Sequence, residues 1–219
     1  MKKRVLLLSP LALALAMGGL VTLPETPLAA QTEQSVWHIG PIMRGKNYSY
    51  RMPATMQPTR EGASFDFPYP TPRDGHVHYV TTPTGSLADA KRIVMRYRID
   101  AEPGVRFIPE EEPERTATMS LYFQRAGDSW TMRTPRHRWY APADKVVPLT
   151  PGTHTVSIDL DENWLAMNYQ NAWDIPQDYQ TALARANSIG FVFGSSVLRG
   201  HGVYATGPAR FTLLDFRVE

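Results

Sequence analysis

The 219-residue chain contains no cysteine. Disulfides, thiolate metal sites and cysteine nucleophiles are therefore excluded, as is lipid acylation of a cysteine at a processed N-terminus. Packing alone must stabilise the fold. Also missing are a G-x-S-x-G elbow and an H-E-x-x-H pair. The stretch from Gly194 to Gly207 is rich in glycine, but it lacks the strand–loop–helix setting and the Lys-Ser or Lys-Thr ending of a phosphate cradle. Beyond residue 30 no run is apolar enough to span a bilayer.

What is present begins with the first thirty residues. Lys2, Lys3 and Arg4 form a cationic start, an apolar run reaches from Val5 to about Leu23, and Pro27-Leu28-Ala29-Ala30 closes it with small residues. This order is that of a cleavable export signal, with cleavage expected after Ala30 and the product expected in the periplasm or outside the cell. The alternative is an uncleaved N-terminal anchor, which Pro10 and Gly18-Gly19 disfavour as a spanning helix. Residues 1–30 hold three of the 23 basic and one of the 21 acidic residues, so the remaining 189 (219 − 30) carry 20 of each. A neutral mature chain gives no support to nucleic-acid binding.

Residues 31–75 read as an extended segment packed on the domain, because Trp37, Tyr48, Tyr50, Phe65 and Phe67 are too apolar for a solvated tether. Short strands are expected at Val36–Ile39 and Ser64–Phe67. From 76 to 219 the apolar period is two. Ile93, Met95, Tyr97 and Ile99 share one face against Arg92, Arg96 and Arg98. Met119, Leu121 and Phe123 oppose Ser120, Tyr122 and Gln124, and Ile189, Phe191 and Phe193 oppose two glycines. Between Arg210 and Val218 the phase changes, which calls for a bulge or for cover on both faces. One helix is expected at 177–186, where Tyr179, Ala182, Leu183 and Ala186 follow helical spacing. A single helix among about eight strands indicates an all-β, antiparallel β-sandwich of jelly-roll type.

These strands carry a resemblance. Lys91–Arg98, Leu121–Phe123, His154–Leu160, Ile189–Gly194 and Ala209–Val218 together resemble the galactose-binding-like, carbohydrate-binding-module type of β-sandwich, over roughly 130 residues. The run Gly200–Phe211 is similar to the closing stretch of a group of exported bacterial proteins. The resemblance implies a sandwich and makes a glycan ligand the expected partner; a fold does not fix a function.

The residues that suit such a partner are Arg96, Tyr122, Arg136, Arg138 and Tyr140. Aromatic rings stack on the C–H face of sugars, and guanidinium forks hold hydroxyls or carboxylates at two points. If the strands bearing them are neighbours, their outer faces form a binding surface; otherwise they are a solvated face paired to acids such as Asp128 or Asp144. His76-Val77-His78 has a spacing found in metal sites but shows no third ligand in sequence, so no metal is expected there. Glu110-Glu111-Glu112 with Glu114 offers calcium-type oxygens but reads first as a solvated acidic loop, and no cofactor is expected. Asp159 and Asp161 share strand parity, about 6–7 Å apart, within glycosidase range but at a strand end where acids are ordinary. Three functions stand open. The first is an exported non-catalytic protein binding an oligosaccharide or polysaccharide. The others are a jelly-roll hydrolase or lyase, and an envelope structural or assembly protein.

Overall fold

The computed structural model describes residues 36–219, so the expected export signal lies outside the described residues. Two antiparallel sheets face each other. The larger has seven strands. Its main path runs β1 (His38–Gly40), β6 (Tyr79–Pro83), β14 (Ala186–Gly194), β9 (Thr118–Arg125), β10 (Arg138–Tyr140) and β13 (Leu165–Ala166), and β11 (Val147–Pro148) pairs β9 beside β10. The smaller has five, in the order β12 (Gly152–Asp159), β7 (Arg92–Ala101), β16 (Ala209–Val218), β5 (Ala63–Asp66) and β4 (Gln57–Pro58). Two ribbons lie outside these sheets: β2 (Ile42–Met43) with β3 (Lys46–Asn47), and β8 (Phe107–Pro109) with β15 (Val203–Ala205). The chain passes between the sheets at most of its long connections, as in a jelly roll.

The period-two pattern builds the core. Met95, Tyr97, Ile158 and Phe211 of the smaller sheet and Leu121, Phe123, Phe191 and Phe193 of the larger are buried, and Val156 with them. Rings interlock across the gap: Phe191 stacks on Phe211 at 5.2 Å, and Phe65 meets Phe193 edge-on at 5.8 Å. Such offset and edge-to-face pairs add to area burial. The phase change near the C-terminus is a bulge, with the register of β16 on β7 shifting between Leu213 and Asp215. Past it, Phe216 turns to meet Trp37 at 4.9 Å.

Two expectations need adjustment. The helix (α1) spans Pro176–Ala184, and Ala186, which fits the helical spacing, is instead the buried first residue of β14. The sandwich also begins before residue 76, since β1 pairs β6 in one sheet while β4 and β5 extend the other. Among the described residues no helix is long and apolar enough to cross a membrane.

Candidate functional site

The outer face of the larger sheet is where aromatic and guanidinium groups collect. Tyr79, Tyr122 and Tyr140 come from β6, β9 and β10, which are brought side by side by β14 and by the β9–β10 pairing. Tyr122 lies in register with Gly190, whose other neighbour is Thr81. Its hydroxyl hydrogen-bonds to Thr81 Oγ1, so the phenol crosses the strand where glycine has no side chain. Tyr79 and Tyr140 share a hydroxyl–hydroxyl hydrogen bond of 2.6 Å.

This face carries the polar parity of its strands but is not exposed. Tyr122 is 0 % exposed, Arg138 4 % and Tyr140 5 %. The connection between β9 and β10 folds back over them. Its Asp128 accepts from the Trp130 N–H at 2.9 Å, and Trp130 then stands edge-on to Tyr79 at 5.0 Å. Arg138 packs against both rings, with its guanidinium carbon 4.3 Å from the Trp130 ring centroid and 5.7 Å from that of Tyr79. Its Nε donates to Asp128 Oδ2 at 2.8 Å, and Nη2 stands 2.8 Å from the same oxygen, off the line of a hydrogen bond. Burial opposes the Arg138 charge, and the surrounding Tyr79, Tyr140 and Asp128 oxygens outweigh it. Burial also pushes the Tyr79 and Tyr122 hydroxyls well above the ordinary tyrosine range, keeping both as neutral hydrogen-bonding groups.

Beside this packed patch a cleft of about 580 Å³ opens, a volume within the range of small-ligand sites. Tyr79, Tyr140, Arg138, Trp130, Tyr169 and Arg199 are among its walls. Arg199 is 5 % exposed and donates to the Ala141 carbonyl. Among the described residues no carboxylate lies within ion-pair distance of it, and burial lowers its pKa.

Of the five residues expected to form one surface, Arg138 and Tyr140 line the cleft, and Tyr122 supports it from behind. Arg136 and Arg96 are not with them. Arg136 belongs to a 3-10 turn (Pro135–His137) rather than to β10, and binds Asp178 at 2.7 Å and Gln170 at 3.1 Å. Arg96 sits exposed on β7 in the other sheet, in register with Thr155 and Asp215. Parity had joined strands that the topology separates. Tyr79, Trp130, Tyr169 and Arg199 escaped the sequence reading. Tyr79 could have been found, because it stands directly before Val80, a core residue of β6; the other three lie on irregular connections.

The acidic candidates also resolve. Asp159 pairs with Arg92 at 3.2 Å and Glu162 with Lys145 at 3.1 Å, while Asp161 lies past the end of β12. The Glu110–Glu114 run is not a freely solvated loop: Glu111 meets His201 Nδ1 at 3.1 Å, Glu112 binds Ser195 and Arg115, and Glu110 turns inward. There Glu110 Oε1 is 3.1 Å from His76 Nε2, and Oε2 is 3.2 Å from His78 Nε2. Burial pushes this carboxyl up, but the hydrogen bonds and charges of the two imidazoles prevail and hold it at about 2. His76-Val77-His78 therefore has the third ligand-type residue that the sequence did not show, 32 positions on from His78. His78 also forms part of the cleft wall.

No family model matches the chain, and no curated protein matches it in sequence. Among solved structures it is similar to the xylan-binding module CBM15, with 14% identity, 82% of this chain and 97% of that one covered, and a TM-score of 0.39. It is similar to CBM28, a carbohydrate-binding module specific for non-crystalline cellulose, with 14% identity, 85% and 93% coverage and a TM-score of 0.42. A third likeness is to Xylanase10C from Cellvibrio japonicus in complex with xylopentaose, with 15% identity, 81% and 27% coverage and a TM-score of 0.38. Likenesses at this level carry no weight for function, and the sandwich stands on its own strand pairing.

Proposed function

We propose that this chain binds an oligosaccharide in the cleft over its larger sheet, without cleaving it. One observation carries the reading: a ligand-sized cleft whose walls combine tyrosine and tryptophan rings with two buried guanidinium groups. Rings supply stacking surface for sugar C–H faces, and guanidinium forks supply paired donors. Arg138 is already neutralised by Asp128, whereas Arg199 has only carbonyl partners, which favours a glycan bearing carboxylates such as a uronate. The raised Tyr79 and Tyr122 hydroxyls favour binding over proton abstraction, since a lyase base must lose its proton near neutral pH. With residues 1–30 read as an export signal, the glycan belongs to the cell envelope or the surroundings.

Titration of neutral and uronate-bearing oligosaccharides against the folded chain tests this. Tyr169, half-exposed at the cleft, can be truncated without opening the core. Tyr169→Ala should weaken binding by about tenfold, the scale of one anchoring side chain worth about 1.4 kcal/mol. Arg210→Ala, on the other sheet, should bind as wild type. Uronate binding should also weaken with added salt. Equal affinity of wild type and Tyr169→Ala places the ligand elsewhere, and release of shorter or unsaturated products turns the reading to hydrolase or lyase.

A further inference from the structure

The cluster of His76, His78 and Glu110 has a construction that binding at the cleft does not use. Val77 lies between the histidines and exchanges two backbone hydrogen bonds with Val203, at 2.9 and 3.0 Å. The Glu110 N–H, just past β8, donates to the Gly202 carbonyl at 3.0 Å. The single stretch 202–203 therefore aligns both halves of the cluster through backbone contacts.

A hydrogen bond fixes the orientation of the His78 ring. Its Nδ1 is 2.8 Å from the Gly200 carbonyl oxygen. A carbonyl only accepts, so Nδ1 carries a proton and the ring turns Nε2, the nitrogen a metal would take, toward the cluster. Nε2 faces His76 Nδ1 at 2.8 Å and Glu110 Oε2 at 3.2 Å. Nε2 and the carboxylate oxygen at this distance need a cation between them, either a metal ion or a proton on Nε2. A backbone carbonyl on the far nitrogen is also the usual outer partner of a metal-bound histidine.

Spacing and access agree. The ligand atoms of the three residues lie within 4.8 Å of one another. Metal–ligand bonds of about 2.0–2.2 Å place neighbouring ligands about 3–3.5 Å apart; with His76 Nδ1, His78 Nε2 and Glu110 Oε2 as the ligand atoms, two of the separations are 2.8 and 3.2 Å. One side of the cluster is kept open by Gly202: a Cβ there would stand 2.7 Å from His78 Nε2 and 2.9 Å from Glu110 Oε2. Its φ of +99° is a second reason for glycine.

We propose that His76, His78 and Glu110 bind one divalent cation of the zinc class, with the side facing Gly202 left for a water or ligand oxygen. Two imidazoles select a borderline metal over calcium or magnesium, which take oxygen ligands. The ion ties the stretch before β6 to the β8–β15 ribbon at the end of the cleft that His78 lines. This assignment is independent of the glycan reading.

The test uses untagged full chain, stripped with a chelator and titrated with Zn²⁺ and, separately, Ca²⁺, with stoichiometry read by native mass spectrometry and affinity by calorimetry. One Zn²⁺ per chain and no Ca²⁺ are expected. His78→Ala and Glu110→Gln should each weaken zinc binding by at least about 100-fold, beyond the 10–100-fold typical of outer-shell changes. His154→Ala, on the smaller sheet, should leave it unchanged. Folded wild type that takes up no zinc overturns the proposal and leaves the cluster held by a proton. Zinc uptake that survives both ligand substitutions in folded variants, or equal uptake of calcium, overturns it as well. If either variant unfolds, Co²⁺ binding by the wild type decides: absence of ligand-field bands in the visible spectrum rejects the site.

Discussion

The two sheets carry arginine on their outer faces in opposite ways. On the smaller sheet Arg98 reaches Asp100 at 2.9 Å and Glu61 at 2.6 Å, and Arg210 reaches Asp66 at 2.7 Å, all with acids more than half exposed. On the larger sheet Arg138 meets an Asp128 side chain that is 0 % exposed, under a tryptophan. The strand period is the same in both. What differs is cover: the connection after β9 folds over its own sheet, whereas Arg98 and Arg210 remain in contact with water. Alternation decides the side to which a residue points, and the loops decide whether that side is wet.

Cutting the ion pairs should separate the faces most sharply. Arg138→Ala leaves the Asp128 carboxylate buried without its cation, a change that costs about 3–5 kcal/mol. Arg210→Ala should leave the urea midpoint unchanged, because solvent screens its pair. Equal midpoints for the two variants would show that the larger face is as wet as the smaller.

Hydroxyls give the next test. Tyr140→Phe removes one end of the 2.6 Å bond to Tyr79, leaving that buried hydroxyl with only a 3.5 Å contact from Arg138. A loss of about 1–3 kcal/mol is expected. The Tyr97 hydroxyl, between the sheets, has no hydrogen-bond partner among the described residues, so Tyr97→Phe should fall within about 1 kcal/mol of wild type on either side. Denaturation curves that rank these two variants the other way would remove the hydroxyl pair from the stability of the larger face.

Alkali tests whether the covered face is as dry as the core. Burial raises Tyr79 and Tyr122 on that face, and also Tyr97 and Tyr179 inside. For each, the neutral form is favoured in the folded state. Stability is intact below the ordinary tyrosine pKa of about 10, then falls as pH rises, by up to about 1.4 kcal/mol per pH unit per tyrosine. Tyr122→Phe should flatten the decline above about pH 10 by one such increment. A slope unchanged by this substitution would mean that water reaches the Tyr122 hydroxyl.

Sequence and structure agree where packing is periodic. Phe191 and Phe193 announce an inner face because glycines and apolar residues alternate around them, and the two-sheet sandwich follows from five such runs. Agreement ends where position depends on pairing between distant strands. Arg96 and Arg138 share a pattern but not a sheet, since β7 pairs β12 and β16 while β10 pairs β9. Arg136 looks like a strand residue until Pro135 starts a 3-10 turn. Glu110 and His78 were both visible, yet only the β8–β15 ribbon brings them together. Arg199 stands in a glycine-rich connection whose path no local periodicity dictates.

Trp130 has an optical consequence. Of the five tryptophans, Trp37, Trp139 and Trp164 are sealed in the core and Trp173 is 68 % exposed, so Trp130 alone lines the cleft. Its indole touches both a guanidinium and a phenol, where a small change in local field or ring contact shifts emission. The molecule thus carries a native fluorophore in the wall of the cleft proposed for the glycan, so the proposed binding can be followed without a label.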